Sequence, residues 1–255
     1  MTMFEQDERF ARLHLLVQQE GMAALEQATV MVVGLGGVGS SCAQTLARGG
    51  VGHLIIIDGD VVSASNINRQ LLAFDSTVGR PKAAVMKEMI LDINPHCQVY
   101  AVEEFIKAQN IDPVLQTLPH PDYVIDCIDS FYAKTALMQW CMEAQVPLLS
   151  SMGAANRLDP SLLSFAYIED TSYCKMSKTM RHICAELGIQ KLEVLYSTEK
   201  QVKVPSNGSV KKENTLGSIS FMPPMMGMLL ASKVLRRLLG LESYQLTPIM
   251  KGRRK

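Results

Sequence analysis

The chain has no apolar run approaching the roughly eighteen residues needed to cross a bilayer. Its first twelve residues are broken by Glu5, Asp7 and Glu8, the wrong pattern for a secretory leader. The expectation is a cytoplasmic protein with no membrane partner. It also lacks any Cys-x-x-Cys pair: the six cysteines, Cys42, Cys97, Cys127, Cys141, Cys174 and Cys184, are scattered, which argues for reduced thiols and against a four-cysteine zinc site. There is no internal repeat and no low-complexity segment, and 47% hydrophobic residues in 255 leave no prior for disorder.

Net charge is also absent, but only as a sum. Residues 1–170 hold 10 Lys and Arg against 20 Asp and Glu, and residues 171–255 hold 15 against 5. The two parts therefore carry −10 and +10. A basic final third is either an electrostatic footprint for a polyanion or a set of solvated lysines with a basic tail at 251–255.

What is present centres on residues 30–39. Val30-Met-Val-Val runs into Gly34-Leu-Gly36-Gly37-Val-Gly39, and the pattern then becomes helical. A strand, a tight turn and a helix start follow, with the free N–H groups of the helix's first turn suited to a phosphate. Two short helices broken at Gly21 precede this strand. A second strand, residues 53–58, is continuously apolar, as in a parallel strand buried on both faces. It ends at Asp58, 24 residues after Gly34, where an acid accepts hydrogen bonds from ribose hydroxyls.

The next stretch departs from a nicotinamide dehydrogenase. In place of a third strand-helix repeat stand Ser63-Ala-Ser-Asn66-Ile-Asn68-Arg69-Gln70 and then Gly79-Arg-Pro-Lys82 opening a helix. Arg69 and Lys82 suit a triphosphate, because fixed cations offset charge moving onto a leaving pyrophosphate. Lys82 near a helix N-terminus does nothing for helix stability. Strands follow at about 97–102, 123–126 and 148–151, with a helix at 112–118 between the first two. Asp126 and Asp129 stand where strand ends face a ligand crevice. Either acid suits Mg²⁺, while Asp129 is equally placed to N-cap the helix at 133–143. From residue 159 the pattern turns to short strands (163–168, 194–197), a basic helix with Lys175, Lys178, Arg181 and His182, a polar stretch at 203–214, and an apolar helix at 225–239 whose methionines suit core or dimer packing. Cys174 and Cys184 lie where a thioester cysteine could sit, although Cys174 has no neighbouring base in sequence.

Gly34-x-Gly-Gly-Val-Gly-Ser40, Asp58-Gly-Asp60, Asn66-x-Asn68-Arg69-Gln70, Gly79-x-Pro-Lys82 and Asp126-x-x-Asp129 together resemble the ubiquitin-activating-enzyme-like adenylyltransferases. The resemblance covers roughly residues 9–170. It implies an α/β fold, a mostly parallel Rossmann-like sheet with helices on both faces and a smaller C-terminal α+β extension, divided at residues 1–158 and 159–255. It also implies a homodimer that adenylates a carboxylate with ATP and Mg²⁺. Transferred by position, Gly34, Gly36, Gly37, Asp58, Asp60, Asn66, Asn68, Arg69, Gln70, Lys82 and Asp129 would surround the nucleotide, Asp129 would serve the metal, and Arg69 and Lys82 would act on the phosphates. Arg12 resembles an arginine that a neighbouring subunit inserts. Without zinc cysteines or room for a catalytic-cysteine domain, the chain is similar to the branch that cyclises a threonylcarbamoyl-modified adenosine in tRNA. Lys175-Met-Ser-Lys178, Tyr196-Ser-Thr-Glu199 and Gly217-Ser-Ile-Ser carry that likeness. The branch implies tRNA as partner, with the basic extension contacting it, and makes a sulfur-transfer or redox protein a further candidate. The alternative is activation of a small ubiquitin-like or sulfur-carrier protein's C-terminal carboxylate.

Overall fold

The computed structural model describes residues 7–204 and 216–243; most of the polar stretch 203–214 and the tail 251–255 lie outside the described residues. Among the described residues, seven strands form one sheet. They are β1 (Thr29–Val33), β2 (His53–Ile57), β3 (Gln98–Val102), β4 (Tyr123–Asp126), β5 (Leu148–Ser151), β6 (Leu163–Tyr167) and β7 (Glu193–Ser197). Their spatial order is β3-β2-β1-β4-β5-β7-β6. Every pairing is parallel except β6 with β7.

The apolar strands bury both faces, so two cores form. On one face Val30, Val32, Leu54 and Ile56 pack with α2 (Gly37–Arg48), α3 (Lys82–Ile93) and α7 (Met222–Leu238). On the other, Met31, Val33, Ile55 and Ile57 pack with α4 (Ile111–Leu115), α5 (Phe131–Glu143) and α6 (Lys175–Glu186). Each fully buried isoleucine contributes about 1.5–3 kcal/mol relative to exposure. This is the α/β, mostly parallel, Rossmann-like arrangement expected. The strand order reverses between β1 and β4, and the crevice beyond their C-terminal ends is where such sheets take ligands.

The sheet runs on past residue 158. β7 lies beside β5, and β6 closes the edge. Helix α7 is tied to both halves of the sheet by Arg237, whose guanidinium donates to Glu193 in β7 at 2.6 and 3.0 Å and to the Tyr123 hydroxyl in β4 at 2.5 Å. Helices α2 and α7 pack so closely that a Cβ at Gly227 would meet the Val38 carbonyl oxygen at 2.1 Å.

Before the sheet, α1 (Ala11–Gln27) is two helical segments joined at Gln18, with φ 56° and ψ −173°. The break thus falls three residues before the expected Gly21, which stays helical. Gln18 stabilises the kink itself: its side-chain amide donates to the Leu15 carbonyl at 3.0 Å. That bond engages a carbonyl near the interrupted helix ladder.

Candidate active site

A cavity of about 990 Å³ lies over the C-terminal ends of the parallel strands. Its wall contains Gly34, Gly36, Gly37, Asp58, Asp60, Asn66, Arg69, Gln70, Lys82 and Asp129. Residues from five separate motifs therefore meet in one place. Gly34 turns the chain there with φ +88°, and a Cβ on it would meet the Cys127 carbonyl oxygen at 2.8 Å. Gly36 caps α2 without any side-chain bond, so the helix's first N–H groups keep their positive end for a ligand.

Asp58 does more than face the cavity. One carboxylate oxygen accepts from the Leu35 N–H at 2.6 Å and the other from the Asp60 N–H at 2.8 Å. The end of β2 thereby braces the glycine turn after β1. Burial pushes its carboxyl above the ordinary carboxylate range; the Leu35 N–H, the Lys82 charge and the Asp60 N–H pull downward without cancelling that rise, and the Asp60 charge adds to it.

Lys82 begins α3, is buried, and donates its Nζ to Asp60 at 2.9 Å. Its pairing explains a cation at an electrostatically poor helix position. Arg69 is oriented by the Ser65 carbonyl at 2.9 Å and by Asn68 Oδ1 at 3.0 Å. Asn68 itself is not on the cavity wall: it sits behind Arg69 and donates to the Ser218 carbonyl at 3.0 Å. Asn66 lines the cavity while its Oδ1 accepts from the Ser63 N–H at 3.2 Å. Gln70 is buried, and its Oε1 has no hydrogen-bond partner among the described residues.

The two acids after β4 part company. Asp126 is 1% exposed and bonded to Lys134 Nζ at 2.8 Å, Ser150 Oγ at 2.6 Å and the Ile128 N–H at 3.0 Å. It faces the interior, engaged by these partners and off the cavity wall. Asp129 is exposed to the cavity and has no side-chain hydrogen bond or ion pair among the described residues. Nor does it cap α5, which begins after Ser130 with no side-chain cap.

Arg12 is exposed on α1 and absent from the cavity wall. Cys174 and Cys184 are buried and also absent from it. The sequence reading missed Phe105 and Tyr132, which line the cavity although 53% and 91% exposed, and the wall formed by Met152, Gly153, Ala154 and Ala155 after β5. Phe105 just after β3 and Tyr132 at the start of α5 were the available signal.

Residues 10–252 match the ThiF family. The chain is 36% identical over 242 residues to tRNA threonylcarbamoyladenosine dehydratase of Bacillus subtilis (strain 168), covering 91% of this chain and 94% of that one. It is 34% identical over 191 residues to molybdopterin-synthase adenylyltransferase of Haemophilus influenzae, covering 72% and 76%. Among solved structures, the E. coli tRNA N6-threonylcarbamoyladenosine dehydratase TcdA in complex with ATP superposes with a TM-score of 0.82 at 30% identity, covering 91% and 94%. The family match over residues 10–252 and the extent of these likenesses place this chain in the ThiF family.

Proposed function

We propose that the protein uses ATP to dehydrate N6-threonylcarbamoyladenosine in tRNA, closing a ring through an adenylated carboxylate. The observation that carries this reading is coverage. Likeness to the Bacillus dehydratase spans 91% of the chain, whereas likeness to the molybdopterin-synthase adenylyltransferases of Haemophilus influenzae and E. coli spans 72% and 58%.

The crevice suggests how the reactants lie. Passing along the sheet, the cavity meets Phe105 after β3, Asp58 after β2, the glycine turn after β1, Asp129 after β4 and Met152 to Ala155 after β5. Asp58 takes the ribose, with the base toward Phe105. The α2 N-terminus, Arg69 and Lys82 hold the phosphates, and the substrate carboxylate approaches from the β4 and β5 side. A carboxylate oxygen attacks the α-phosphorus, the bond to the bridging oxygen breaks, and pyrophosphate leaves. The modification's own carbamoyl group then attacks the activated carbonyl and AMP leaves, with net loss of water. The protein's contribution is positioning and charge stabilisation; no enzyme cysteine takes part.

Asp129 fits Mg²⁺, which takes one or two carboxylates together with phosphate oxygens; when bound, the ion would neutralise phosphate charge. A cytoplasmic homodimer is part of the reading. Arg12 would then serve the neighbouring subunit, and Leu15 and Leu16, 75% and 83% exposed beside it, supply apolar surface for such a contact. Residues 159–255 would carry the tRNA and dimer contacts, as their positive balance suits.

Incubation with ATP, Mg²⁺ and tRNA carrying the modification, followed by nucleoside mass spectrometry, tests the reading. The expected result is a mass lower by one water and stoichiometric AMP. Unchanged nucleoside mass with ATP-competent protein overturns it. AMP release that requires a carrier protein and ignores tRNA would favour the adenylyltransferase alternative.

A further inference from the structure

The two aromatic side chains on the cavity wall stand in different situations. Phe105, after β3, is packed against the turn that carries Asp58: a Cβ at Gly59 would meet its ring at 2.6 Å. It is committed to the ribose end of the crevice. Tyr132, in the first turn of α5, is the most exposed large apolar or aromatic side chain among the described residues, at 91%. It has no hydrogen bond, ion pair or ring contact among them. A tyrosine ring gains when its faces are buried, and here both are left in water on the wall of a site. Tyr173, also exposed, has Lys200 Nζ 5.6 Å from its ring centroid and is off the cavity wall.

Tyr132 begins a row. Thr135, Ala136 and Gln139 follow it along one side of α5 by the three- and four-residue steps of a helix, and all four line the cavity. The row mixes polar and apolar residues. Gln139 is exposed, and its amide has no partner among the described residues. Met176, in the first turn of α6 on the same face of the sheet, lines the cavity too. The exposed cations Lys175 and Lys178 flank it. The β4 and β5 side of the crevice therefore carries a free ring and a free amide on its wall, with positive charge beyond.

That combination suits an unstacked nucleobase of an RNA strand. A base has a flat face for an aromatic ring and a polar edge for an amide, and its flanking phosphates take cations. We propose that Tyr132 is the stacking platform for the adenine ring that bears the threonylcarbamoyl group, an inference that rests on the tRNA reading above. The lengths agree with this placement. Asp129 and Tyr132 are three residues apart, so their Cα atoms lie within about 11 Å of each other. From the adenine amino nitrogen to the carboxyl carbon the substituent is four bonds, about 5 Å when extended. A base on Tyr132 can turn that carboxylate toward phosphates beside Asp129, whereas a base on Phe105 would lie beyond the ribose.

Because Tyr132 is exposed, its replacement leaves the core intact, and Tyr132→Ala is expected to share the urea midpoint of the unaltered protein. The test measures affinity and steady-state dehydration of modified tRNA, with ATP affinity in parallel. Tyr132→Ala is expected to bind modified tRNA about tenfold or more weakly, the scale of one lost base stack, and to bind ATP as before. Tyr132→Phe keeps the ring and is expected to keep the affinity. With an RNA stem-loop abasic at the target position, Tyr132→Ala is expected to cause no further loss, which ties the ring to that base.

A full further loss on the abasic RNA would assign the ring to another part of the strand and overturn the proposal. So would a loss in Tyr132→Phe equal to that in Tyr132→Ala, or a loss of ATP affinity with tRNA affinity unchanged. If Tyr132→Ala binds and dehydrates modified tRNA as the unaltered protein does, the platform falls and the proposed function stands. If the unaltered protein leaves modified tRNA unchanged, the proposed function falls and the platform with it.

Discussion

The crevice is flanked by two lysine–aspartate pairs of nearly equal length, and they serve opposite ends. Lys134 meets Asp126 at 2.8 Å with side chains 0% and 2% exposed. Lys82 meets Asp60 at 2.9 Å, but Asp60 is 57% exposed and both residues line the cavity. On the β4 side the lysine is saturated: it also donates to Ser150 Oγ at 3.2 Å and the Ser151 carbonyl at 2.7 Å. On the β2 side it has a half-solvated partner that a phosphate can replace. The proposed chemistry therefore falls where the pairing is incomplete, and architecture where it is complete.

The comparison breaks most visibly at Lys134. Lys134→Met strands a buried carboxylate and is expected to cost about 3–5 kcal/mol in urea unfolding; adding Asp126→Asn should restore part of that loss. A cost below 1 kcal/mol would mean the pair does not hold β4, β5 and α5 together. Lys82→Ala should invert the pattern, with stability changed by no more than about 1 kcal/mol and AMP formation reduced about a hundredfold. Arg69→Ala is expected to behave likewise, and near-normal turnover in either variant would remove that residue from the reaction.

A smaller effect tests whether the site needs a second chain. Mixing inactive Arg12→Ala and Lys82→Ala proteins should regain activity above either alone, because a mixed dimer contains one site with both groups. No regain after verified subunit exchange would confine Arg12 to its own subunit or to no role. The smallest effect is a pH slope at Asp58. Its carboxyl holds a proton more tightly folded than unfolded, so stability falls as pH rises from its ordinary value of 3.8 through the raised one. Asp58→Asn should flatten urea midpoints across that window; an unaltered slope would assign it to other carboxylates.

The sequence revealed much of this because local chemistry and global placement agree. Residues 30–39 combine strand propensity, turn glycines and a helix start, and nothing tertiary overrides them. Arg69 and Lys82 were legible because a connecting loop has no use for them. Asp126 was ambiguous for a physical reason: its partner Lys134 lies on the next element, α5, and only folding shows which acid turns inward. The kink at Gln18 was hidden by a nearby glycine that promised a break and stayed helical. Phe105 and Tyr132 belong to no periodic pattern, so their convergence needed the sheet order. Arg157 is buried although no motif or periodicity around it marks it as interior.

Helix α7 covers α2, the helix that begins at the glycine turn, at backbone-to-backbone distance through Gly227. The nucleotide-facing turn is made early on the ribosome, yet its supporting helix has no lid until nearly the whole described chain has emerged. Until then Cys42, Leu46 and their neighbours present an uncovered apolar face, which is where an unfinished chain would recruit a chaperone or associate with another. ATP competence is therefore a late event in synthesis, and a chain interrupted before α7 would carry every nucleotide motif without the scaffold that aligns them.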